Sequence, residues 1–334
     1  MAIARRKLGD RLVNPVGLGC MNICWAYGAP PSESDALNML NRALDLGYDH
    51  LDTANIYGLG RSETLIAKAL KGRRDDYFLA SKMGIVIDGE RRGIDCSAEA
   101  IRRSIDESLL RLETDHIDLY YMHRLDPKVP IAESMGAMAE LVQAGKIRHV
   151  GVSEWSAAHI REAHAVHPLA AVQTEYSLWS RNAEIAVLDV CAELGISFVA
   201  FSPVGRGALA NGVDQVAALG EKDIRRLMPR FTDAHWPANR ALIDQLCAIG
   251  AREGATPAQL SLAWLHSRAP HIVTIPGTRT LDHAAENIAR WDWELTPALM
   301  DELNGLINTA TVSGRRYGRT MQATIDTETF AGEI

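Results

Sequence analysis

The sequence predicts a closed barrel of eight parallel strands with helices between them, a (β/α)₈ TIM barrel. Eight short runs rich in β-branched, aromatic and other apolar residues recur along the 334 residues, and longer segments with helical apolar period separate them. Apolar strands that are joined by helices are typical of a parallel sheet covered on its outer face. Eight such units match the number that closes this barrel.

The eight predicted strands follow one another in chain order. They are VGLGCM (16–21), YDHLDT (48–53), YFLASK (77–82), IDLYYMH (117–123), IRHVGVS (147–153), AAVQTEY (170–176), SFVAFSP (197–203) and HIVTIPG (271–277). Segments with the pattern of amphipathic helices include SESDALNMLNRALDLG (32–47), SAEAIRRSIDESLLRL (97–112) and NAEIAVLDVCAELG (182–195). Gly47 and Gly195 stand where a left-handed residue would end a helix before the next strand.

A doubly wound nucleotide-binding sheet is the alternative architecture for alternating strands and helices. The turn after the first strand reads GLGCMN and continues into a long loop, whereas that fold needs a tight G-x-G-x-x-G turn. The barrel is therefore favoured. We expect one domain over residues 1–334, with an N-terminal hairpin (6–15) capping the bottom. We also expect a long loop after the seventh strand (204–236) and a C-terminal tail beyond residue 310 over the barrel mouth.

Composition and charge argue against several classes of protein. The net charge is −7, from 35 basic and 42 acidic residues spread along the chain, so the basic stripe of a nucleic-acid-binding protein is not expected. No run approaches the roughly 20 apolar residues of a membrane helix, and the start MAIARRKLGD lacks the apolar core of a signal peptide. These features predict a cytoplasmic protein, a monomer or homo-oligomer, with neither a nucleic-acid nor a membrane partner.

The five cysteines fit the same compartment. They are Cys20, Cys24, Cys96, Cys191 and Cys247, an odd count without a C-x-x-C pair. Neither a disulfide framework nor a zinc site is indicated, because no paired Cys or His follows at ligand spacing. We expect these thiols to be reduced and to pack as small apolar groups, with no bound metal.

Polar residues stand at the carboxyl ends of three consecutive predicted strands. Asp52 ends the second strand, Lys82 the third and His123 the fourth, while Tyr57 follows Asp52 by five residues in DTANIYG. The carboxyl ends of barrel strands meet in one mouth, where the active sites of such barrels lie. We therefore expect these four side chains to lie together.

The four residue types form a chemical unit. A tyrosine hydroxyl, with a reference pKa of about 10, is a poor proton donor at neutral pH unless its anion is stabilised. The Lys82 ammonium would lower the pKa of Tyr57, Asp52 would keep the lysine charged and oriented, and His123 could bond to a substrate oxygen. The set is a proton donor with a partner that stabilises an oxyanion.

Seven motifs spread over nearly the whole chain resemble those of the aldo-keto reductase superfamily. They are DTANIYG, ASKMG, YYMHR, GVSEWS, QTEYSLWSR, FSPVGRG and IPGTRT. The segment from Asp223 to Phe231 further resembles the branch that contains pyridoxal reductase, perakine reductase and related bacterial reductases. The resemblance implies reduction of an aldehyde or ketone to an alcohol: NADPH gives hydride to carbon, Tyr57 protonates oxygen, and His123 orients the substrate.

The resemblance also implies where the cofactor lies. Ser153 and Gln173 would hold the nicotinamide carboxamide, Phe201 would stack on the ring, and loop 202–207 would face the pyrophosphate. Arg279 would bind the 2′-phosphate at a helix N-terminus, a position of free N–H groups and positive dipole. In all, these residues are assigned to NADPH: Gly19, Met21, Asn22, Ser153, Glu154, Gln173, Phe201, Ser202, Pro203, Val204, Gly205, Arg206, Gly207, Ile275, Gly277, Thr278, Arg279, His283, Glu286 and Asn287.

Three positions depart from the pattern of the family. Phe201 stands where tyrosine is more common and keeps the ring face. Glu154 stands where many members have asparagine beside the serine, so it would either accept from the carboxamide NH₂ or be solvated. His283 replaces an arginine four residues before Asn287, which weakens phosphate binding and leaves NADH as a weaker cofactor.

The substrate would meet mostly large apolar side chains. We assign to this pocket Met21, Trp25, Tyr27, Trp155 and Trp179, with tail residues Arg316 and Tyr317 closing the mouth. Such a lining predicts a bulky, aromatic or alicyclic carbonyl rather than a small charged one. Two other functions stay open: an aldolase that forms a Schiff base on Lys82, and a redox-sensing regulatory subunit that binds NADPH without turnover.

Overall fold

The computed structural model describes residues 3–89 and 91–333. Eight parallel strands form one sheet, in which each strand pairs with the parallel strand that precedes or follows it along the chain. They are β3 (Leu18–Gly19), β4 (His50–Asp52), β5 (Phe78–Met83), β8 (Ile117–Met122), β9 (Ile147–Ser153), β10 (Leu169–Glu175), β11 (Ser197–Phe201) and β12 (Ile272–Thr274). Bridges between Val16 and Thr274 and between Gly19 and Gly277 join the first strand to the last. The sheet therefore curls into the predicted (β/α)₈ barrel.

Helices follow the strands and cover the outside of the sheet. Their bounds are α1 (Glu33–Asp45), α2 (Arg61–Ala69), α3 (Ala98–Leu112), α4 (Ile131–Gln143), α5 (Ala157–Val166), α6 (Val187–Leu194), α7 (Trp236–Arg252), α8 (Pro257–Arg268), α9 (Leu281–Ile288), α10 (Pro297–Leu306) and α11 (Arg319–Gln322). Ser32 and Ser97 cap α1 and α3 by accepting from backbone N–H groups in the first turn. Gly47 and Gly195 have φ values of +102° and +67°, so the predicted left-handed residues after α1 and α6 are confirmed.

All eight predicted strands are present in the predicted order, with somewhat different ends. The predicted first strand, 16–21, contracts to Leu18–Gly19, because Val16 meets its neighbour only through an isolated bridge. The predicted helix 182–195 divides into a 3₁₀ turn at Asn182–Glu184 and α6. Residues 1, 2, 90 and 334, which the predicted domain includes, lie outside the described part of the chain.

The N-terminal hairpin caps the bottom of the barrel as predicted. Strands β1 (Arg6–Leu8) and β2 (Arg11–Val13) pair antiparallel. Leu8 and Val13 are buried in one cluster with inward-facing residues of the barrel strands, among them Phe78. The hairpin therefore seals the end of the barrel opposite the mouth.

Three further segments gather around the barrel. An antiparallel hairpin of β6 (Ile85–Asp88) and β7 (Arg91–Ile94), which the sequence analysis did not predict, follows β5. The predicted long loop after β11 folds into a series of 3₁₀ turns between Gly205 and Phe231. The tail after α10 includes the short helix α11. None of the helices within the described ranges is long and apolar enough to cross a membrane.

Truncation of Leu8 tests the role of the hairpin as a seal. Leu8 has no exposed surface, so Leu8→Ala should leave a cavity at the barrel bottom and cost about 2–5 kcal/mol of unfolding free energy. Leu12 lies on the same hairpin but is 64% exposed, so Leu12→Ala should change stability by less than about 0.5 kcal/mol. Urea unfolding of both variants checks this, and equal midpoints would show that the hairpin does not seal the core.

Candidate active site at the barrel mouth

Three strand ends and the loop after β4 bring the predicted catalytic residues together. Asp52 is the last residue of β4, Lys82 lies near the end of β5, and His123 follows β8 directly. The Lys82 ammonium lies 5.2 Å from the centre of the Tyr57 ring, and the rings of Tyr57 and His123 are 6.0 Å apart, edge to face. The four side chains therefore form one cluster, as expected from their positions at successive strand ends.

Lys82 is held as a buried ammonium. Its side chain has no exposed surface, and it donates to the carboxylate of Asp52 and, at 2.8 Å, to the carbonyl of Thr53. Gln173 donates to the other oxygen of Asp52 at 2.7 Å. Burial lowers the pKa of Lys82, but the nearby Asp52 carboxylate and Tyr57 hydroxyl outweigh it, and the net pKa is raised. Burial also raises the pKa of Asp52, against the opposing effect of Lys82. Lys82 therefore holds its proton at neutral pH, with its charge directed at Asp52.

Lys82 lowers the pKa of Tyr57 as predicted, but the net shift of that pKa is upward. Burial is the largest influence and raises the pKa of Tyr57, while the Lys82 ammonium lowers it only in part. The tyrosine therefore keeps its proton throughout the neutral range. It is an acid that holds a transferable proton, and Lys82 stands ready to stabilise the anion formed when that proton leaves.

His123 is a neutral imidazole. Burial, and then the positive charges of Arg124, Lys82 and Arg92, hold its pKa well below the usual range. Its Nδ1 is buried and has no partner among the described residues. A neutral ring can still donate one hydrogen bond, so His123 is suited to orient a substrate oxygen next to Tyr57.

A cavity of about 810 Å³ extends over this cluster and brings most of the predicted site residues together. The predicted residues in its wall are Gly19, Met21, Asn22, Trp25, Tyr27, Asp52, Tyr57, His123, Ser153, Gln173, Phe201, Ser202, Pro203, Val204, Arg206, Gly207, Ile275, Gly277, Thr278, Arg279, His283, Glu286, Asn287 and Tyr317. The predicted residues outside the wall are Lys82, Glu154, Trp155, Trp179, Gly205 and Arg316. Lys82 is buried beneath the wall and contacts two residues that line it, Asp52 and Tyr57.

One end of the cavity is the N-terminus of α9. The side chain of Thr280 caps this helix by accepting from the backbone N–H of His283 at 3.3 Å. Arg279 reaches across the cavity and donates to the carbonyls of Tyr27 and Ala29, both at 2.9 Å. The helix terminus and the guanidinium form a positive region suited to an anion.

Arg206 faces the cavity from a tight turn after β11. Arg206 and Gly207 both have left-handed φ values, +58° and +88°. The guanidinium donates to Glu175 at 2.6 Å and to the hydroxyl of Tyr317 at 2.7 Å. Its charge is thus partly compensated within the protein, and it is oriented before any ligand arrives.

Both expectations for Glu154 are wrong. Its side chain is completely buried and points away from the cavity, toward the C-terminal tail. It pairs with Arg316, and it accepts from the hydroxyl of Thr327 at 2.9 Å and from the backbone N–H of Glu175 at 2.9 Å. The backbone carbonyl of Glu154 accepts from Asp326 and Thr327 as well. Glu154 therefore anchors the tail and does not hold a ligand.

The same buried network places Arg316 and Tyr317 in different roles. The side chain of Arg316 extends inward from the tail and lies between Glu154 and Glu175, so it does not close the mouth itself. Tyr317 donates to Glu175 at 2.5 Å and lines the cavity. Burial raises the pKa of Glu175, but Arg206 and Arg316 outweigh it and hold that pKa well below the usual range.

The assignment of two tryptophans, Trp155 and Trp179, to the substrate pocket is wrong. Trp155 and Trp179 are buried, with 1% and 4% exposure, and they pack away from the cavity. Trp179 is in edge contact with Phe231, and Arg230 stacks over its indole. Both tryptophans support the loops that surround the mouth.

The sequence analysis missed several residues of the cavity wall. They are Cys20, Ile56, Gly58, Leu59, Ile87, Arg92, Arg124, Ala210, Asn211, Gly212, Ile224, Arg225, Met228, Ala258, Pro276, Thr280 and Met321. The dipeptide Asp88-Gly89 directly after the apolar run 85–87 is a turn signal that could have located Ile87 and Arg92. Arg124 stands inside the motif YYMHR, directly after His123. Met321 lies in the tail, where no sequence pattern indicates contact with the mouth.

A barrel whose mouth holds a tyrosine beside a buried lysine–carboxylate pair defines a site that can protonate a substrate oxygen. The model of the aldo/keto reductase family matches residues 15–308. The chain therefore belongs to the aldo/keto reductase family, a class of oxidoreductases.

Solved structures agree with this assignment. A glycerol dehydrogenase from Gluconobacter oxydans is similar at a TM-score of 0.85 and 24% identity, with 100% of both chains covered. The holo form of an aldo-keto reductase from Bacillus halodurans is similar at 0.75 and 27% identity, over 93% of this chain and 98% of that one. An aldo/keto reductase from Klebsiella pneumoniae, in complex with NADP and acetate, is similar at 0.74 and 24% identity, over 95% and 99%. These matches support the barrel fold.

Replacement of Glu154 tests its role as an anchor. Glu154→Gln should leave the Arg316 charge buried without its main partner, at a cost of about 3–5 kcal/mol. Hydrogen exchange of residues 316–327 should rise, because these residues are tied to Glu154. Glu193→Gln is the matched control, since Glu193 pairs with Arg161 on the exposed surface, where such pairs contribute little. Unchanged exchange in Glu154→Gln would exclude the anchor.

Proposed function

We propose that this protein is an NADPH-dependent reductase that converts aldehyde or ketone carbonyls to alcohols in a reversible reaction. The observation that carries the proposal is one cavity that has proton-donating groups at one end and an anion-binding region at the other. At its base Tyr57, His123 and the Asp52–Lys82 pair can protonate and orient an oxygen, and at its far end Arg279 and the start of α9 suit a phosphate. The Klebsiella relative was solved with NADP, which agrees with this cofactor.

The residues present fit such a cofactor. Ser153 and Gln173 lie in the wall near Asp52 as candidate partners for the carboxamide, and Phe201 offers a partly exposed ring face. Gly19 and Gly277 lie in the same wall and pack closely, since a Cβ at Gly277 would lie 3.0 Å from the side-chain oxygen of Asn22. When bound, NADPH supplies the hydride that adds to the carbonyl carbon.

The protein supplies the proton and the placement of the substrate. Tyr57 donates its proton to the carbonyl oxygen as negative charge develops there, and Lys82 stabilises the tyrosinate that remains. Asp52 keeps Lys82 charged and oriented. Neutral His123 donates to the same oxygen and fixes the substrate against the tyrosine. Uptake of a proton from solvent then restores Tyr57.

The substrate class follows from the wall around this cluster. Met21, Trp25 and Tyr27 line it as predicted, and Ile87 and Met228 add apolar surface from the inserted segments. A bulky aromatic or alicyclic carbonyl fits such a lining. Cytoplasmic location and assembly as a monomer or homo-oligomer stay as predictions.

No contact among the described residues supports either alternative function, the Schiff-base aldolase or the regulatory subunit. An aldolase needs a free lysine amine open to substrate, whereas Lys82 is fully buried as an ammonium. A regulatory subunit would bind NADPH without turning over any carbonyl. An assay of aldehydes, ketones and quinones, monitored by NADPH absorbance at 340 nm, distinguishes a regulatory subunit from a reductase. Borohydride trapping without NADPH would reveal the Schiff base of an aldolase.

Tyr57→Phe tests the proton donor. The variant should lower kcat by about 10²–10⁴-fold with little change in NADPH binding, because only the acid is removed. In the unmodified protein the raised pKa of Tyr57 keeps it protonated below about pH 10, so the rate of reduction should not fall between neutral pH and pH 9 and should fall only above that. Tyr48→Phe, a buried tyrosine that bonds to Ala284 outside the cavity, is the control. A Tyr57→Phe variant with the same kcat as the unmodified protein would refute the mechanism.

Arg279→Ala tests the phosphate site. The variant should raise KM for NADPH by about tenfold or more and KM for NADH much less, since only NADPH carries the 2′-phosphate. The control is Arg226→Ala, an arginine of the loop after β11 that bonds to Leu219 outside the cavity. Equal effects on both cofactors would remove the phosphate role, because Arg279 also ties down the loop at Tyr27 and Ala29.

A further inference from the structure

Five arginines line the described wall of the cavity, and two of them pair with a carboxylate. Arg206 pairs with Glu175, and Arg225 pairs with Asp223 at 2.7 Å. Arg279 donates to two loop carbonyls. Arg92, Arg124 and Arg279 form no ion pair with a carboxylate among the described residues. Arg279 lies at the far end of the cavity, which leaves Arg92 and Arg124 near its base.

These two arginines lie beside the catalytic cluster. Arg124 follows His123 directly; its Nη1 donates to the carbonyl of His123 at 2.6 Å, and its buried Nε has no partner among the described residues. Arg92 comes from β7 and is exposed at the rim of the same cavity. Burial, and then the charge of Arg124, lower the pKa of Arg92, so the two guanidiniums are close enough to repel each other.

No carboxylate in the described wall opposes this positive region. The acidic side chains that line the cavity are Asp52, which Lys82 neutralises, and Glu286, which lies on α9 at the far end. A second anion near Tyr57 would therefore be attracted, and its charge would relieve the repulsion between the two guanidiniums. Arg124 also donates to the hydroxyl of Ser153 at 3.4 Å, but its charge has no carboxylate partner among the described residues. A guanidinium in that state is well suited to bind a carboxylate through two hydrogen bonds.

We propose that Arg92 and Arg124 form a subsite for a carboxylate on the substrate, so that the preferred carbonyl compounds combine a bulky apolar body with an anionic end. This inference rests on the proposed carbonyl reduction and refines its substrate class. Ile56 and Ile87 line the same cavity and offer apolar surface to the body of such a substrate. The subsite draws one residue from the end of β8 and one from the hairpin after β5.

The experiment compares a charged and a neutral substrate of similar shape. Values of kcat/KM are measured with NADPH for 4-carboxybenzaldehyde and for its methyl ester. In the unmodified protein the ratio of acid to ester should exceed one, and it should fall as NaCl is raised from 0.05 M to 0.5 M because salt screens the exposed guanidinium.

Variants of Arg92 then locate the effect. Arg92→Gln should lower the acid-to-ester ratio by about tenfold, Arg92→Glu by about a hundredfold, and Arg92→Lys should retain most of it. The control is Arg103→Gln, an exposed arginine on α3 outside the cavity, which should keep the original ratio. A ratio that does not respond to the charge at position 92 would overturn the subsite.

A binding measurement separates this inference from the proposed function. Calorimetry should show that benzoate binds more tightly than benzamide, and that Arg92→Glu abolishes the difference. If no carbonyl is reduced but benzoate retains this preference, the reductase proposal fails and the anion subsite stands. If both aldehydes are reduced and benzoate shows no preference, the reductase stands and the subsite fails.

Discussion

The structure depends on the seam where the first strand meets the last. Backbone hydrogen bonds of 2.8 Å link Gly17 to Thr274 and Thr274 to Pro15, and a 3.2 Å bond links Gly19 to Pro276. The approach is so close that a Cβ at Gly19 would lie 2.7 Å from the carbonyl of Ile275. Because this seam closes the sheet, the ends of strands far apart in sequence open into one mouth. In an open sheet the tetrad and the start of α9 would lie at different places.

Closure also sets the ionisation states in the mouth. Lys82 has no water to solvate it, so its charge depends on the Asp52 carboxylate and the Thr53 carbonyl from the neighbouring strand end. Burial of their ionisable atoms also keeps Tyr57 protonated and His123 neutral. A charged lysine, a protonated tyrosine and a neutral histidine are the states that proton donation to an oxyanion needs. The barrel thus prepares the acid before a substrate binds.

The sequence predicted those features that depend on local pattern. Eight strands, the capping hairpin and the tetrad follow from apolar period and from chain position at strand ends. The partnership of Glu154 with Arg316 could not be predicted, because it joins residues far apart in the chain and no periodicity brings them together. Trp155 was assigned to the pocket by residue type, but the direction of a side chain depends on the backbone around it. The sign of the Tyr57 pKa shift likewise required knowledge of burial.

Chemistry and recognition come from different parts of the chain. Asp52 and Lys82 lie in strands with a hydrogen-bonded neighbour on each side, so their positions are fixed by the barrel itself. The walls that would meet a substrate come from additions to the barrel: Arg92 from the hairpin after β5, Met228 from the loop after β11, and Met321 from the tail. Since these segments attach outside the sheet, they can change in length and charge while the tetrad keeps its geometry. For the proposed reaction, the strand ends would therefore set the reaction type, and the loop after β3 together with the three inserted segments would provide most of the wall that selects the substrate.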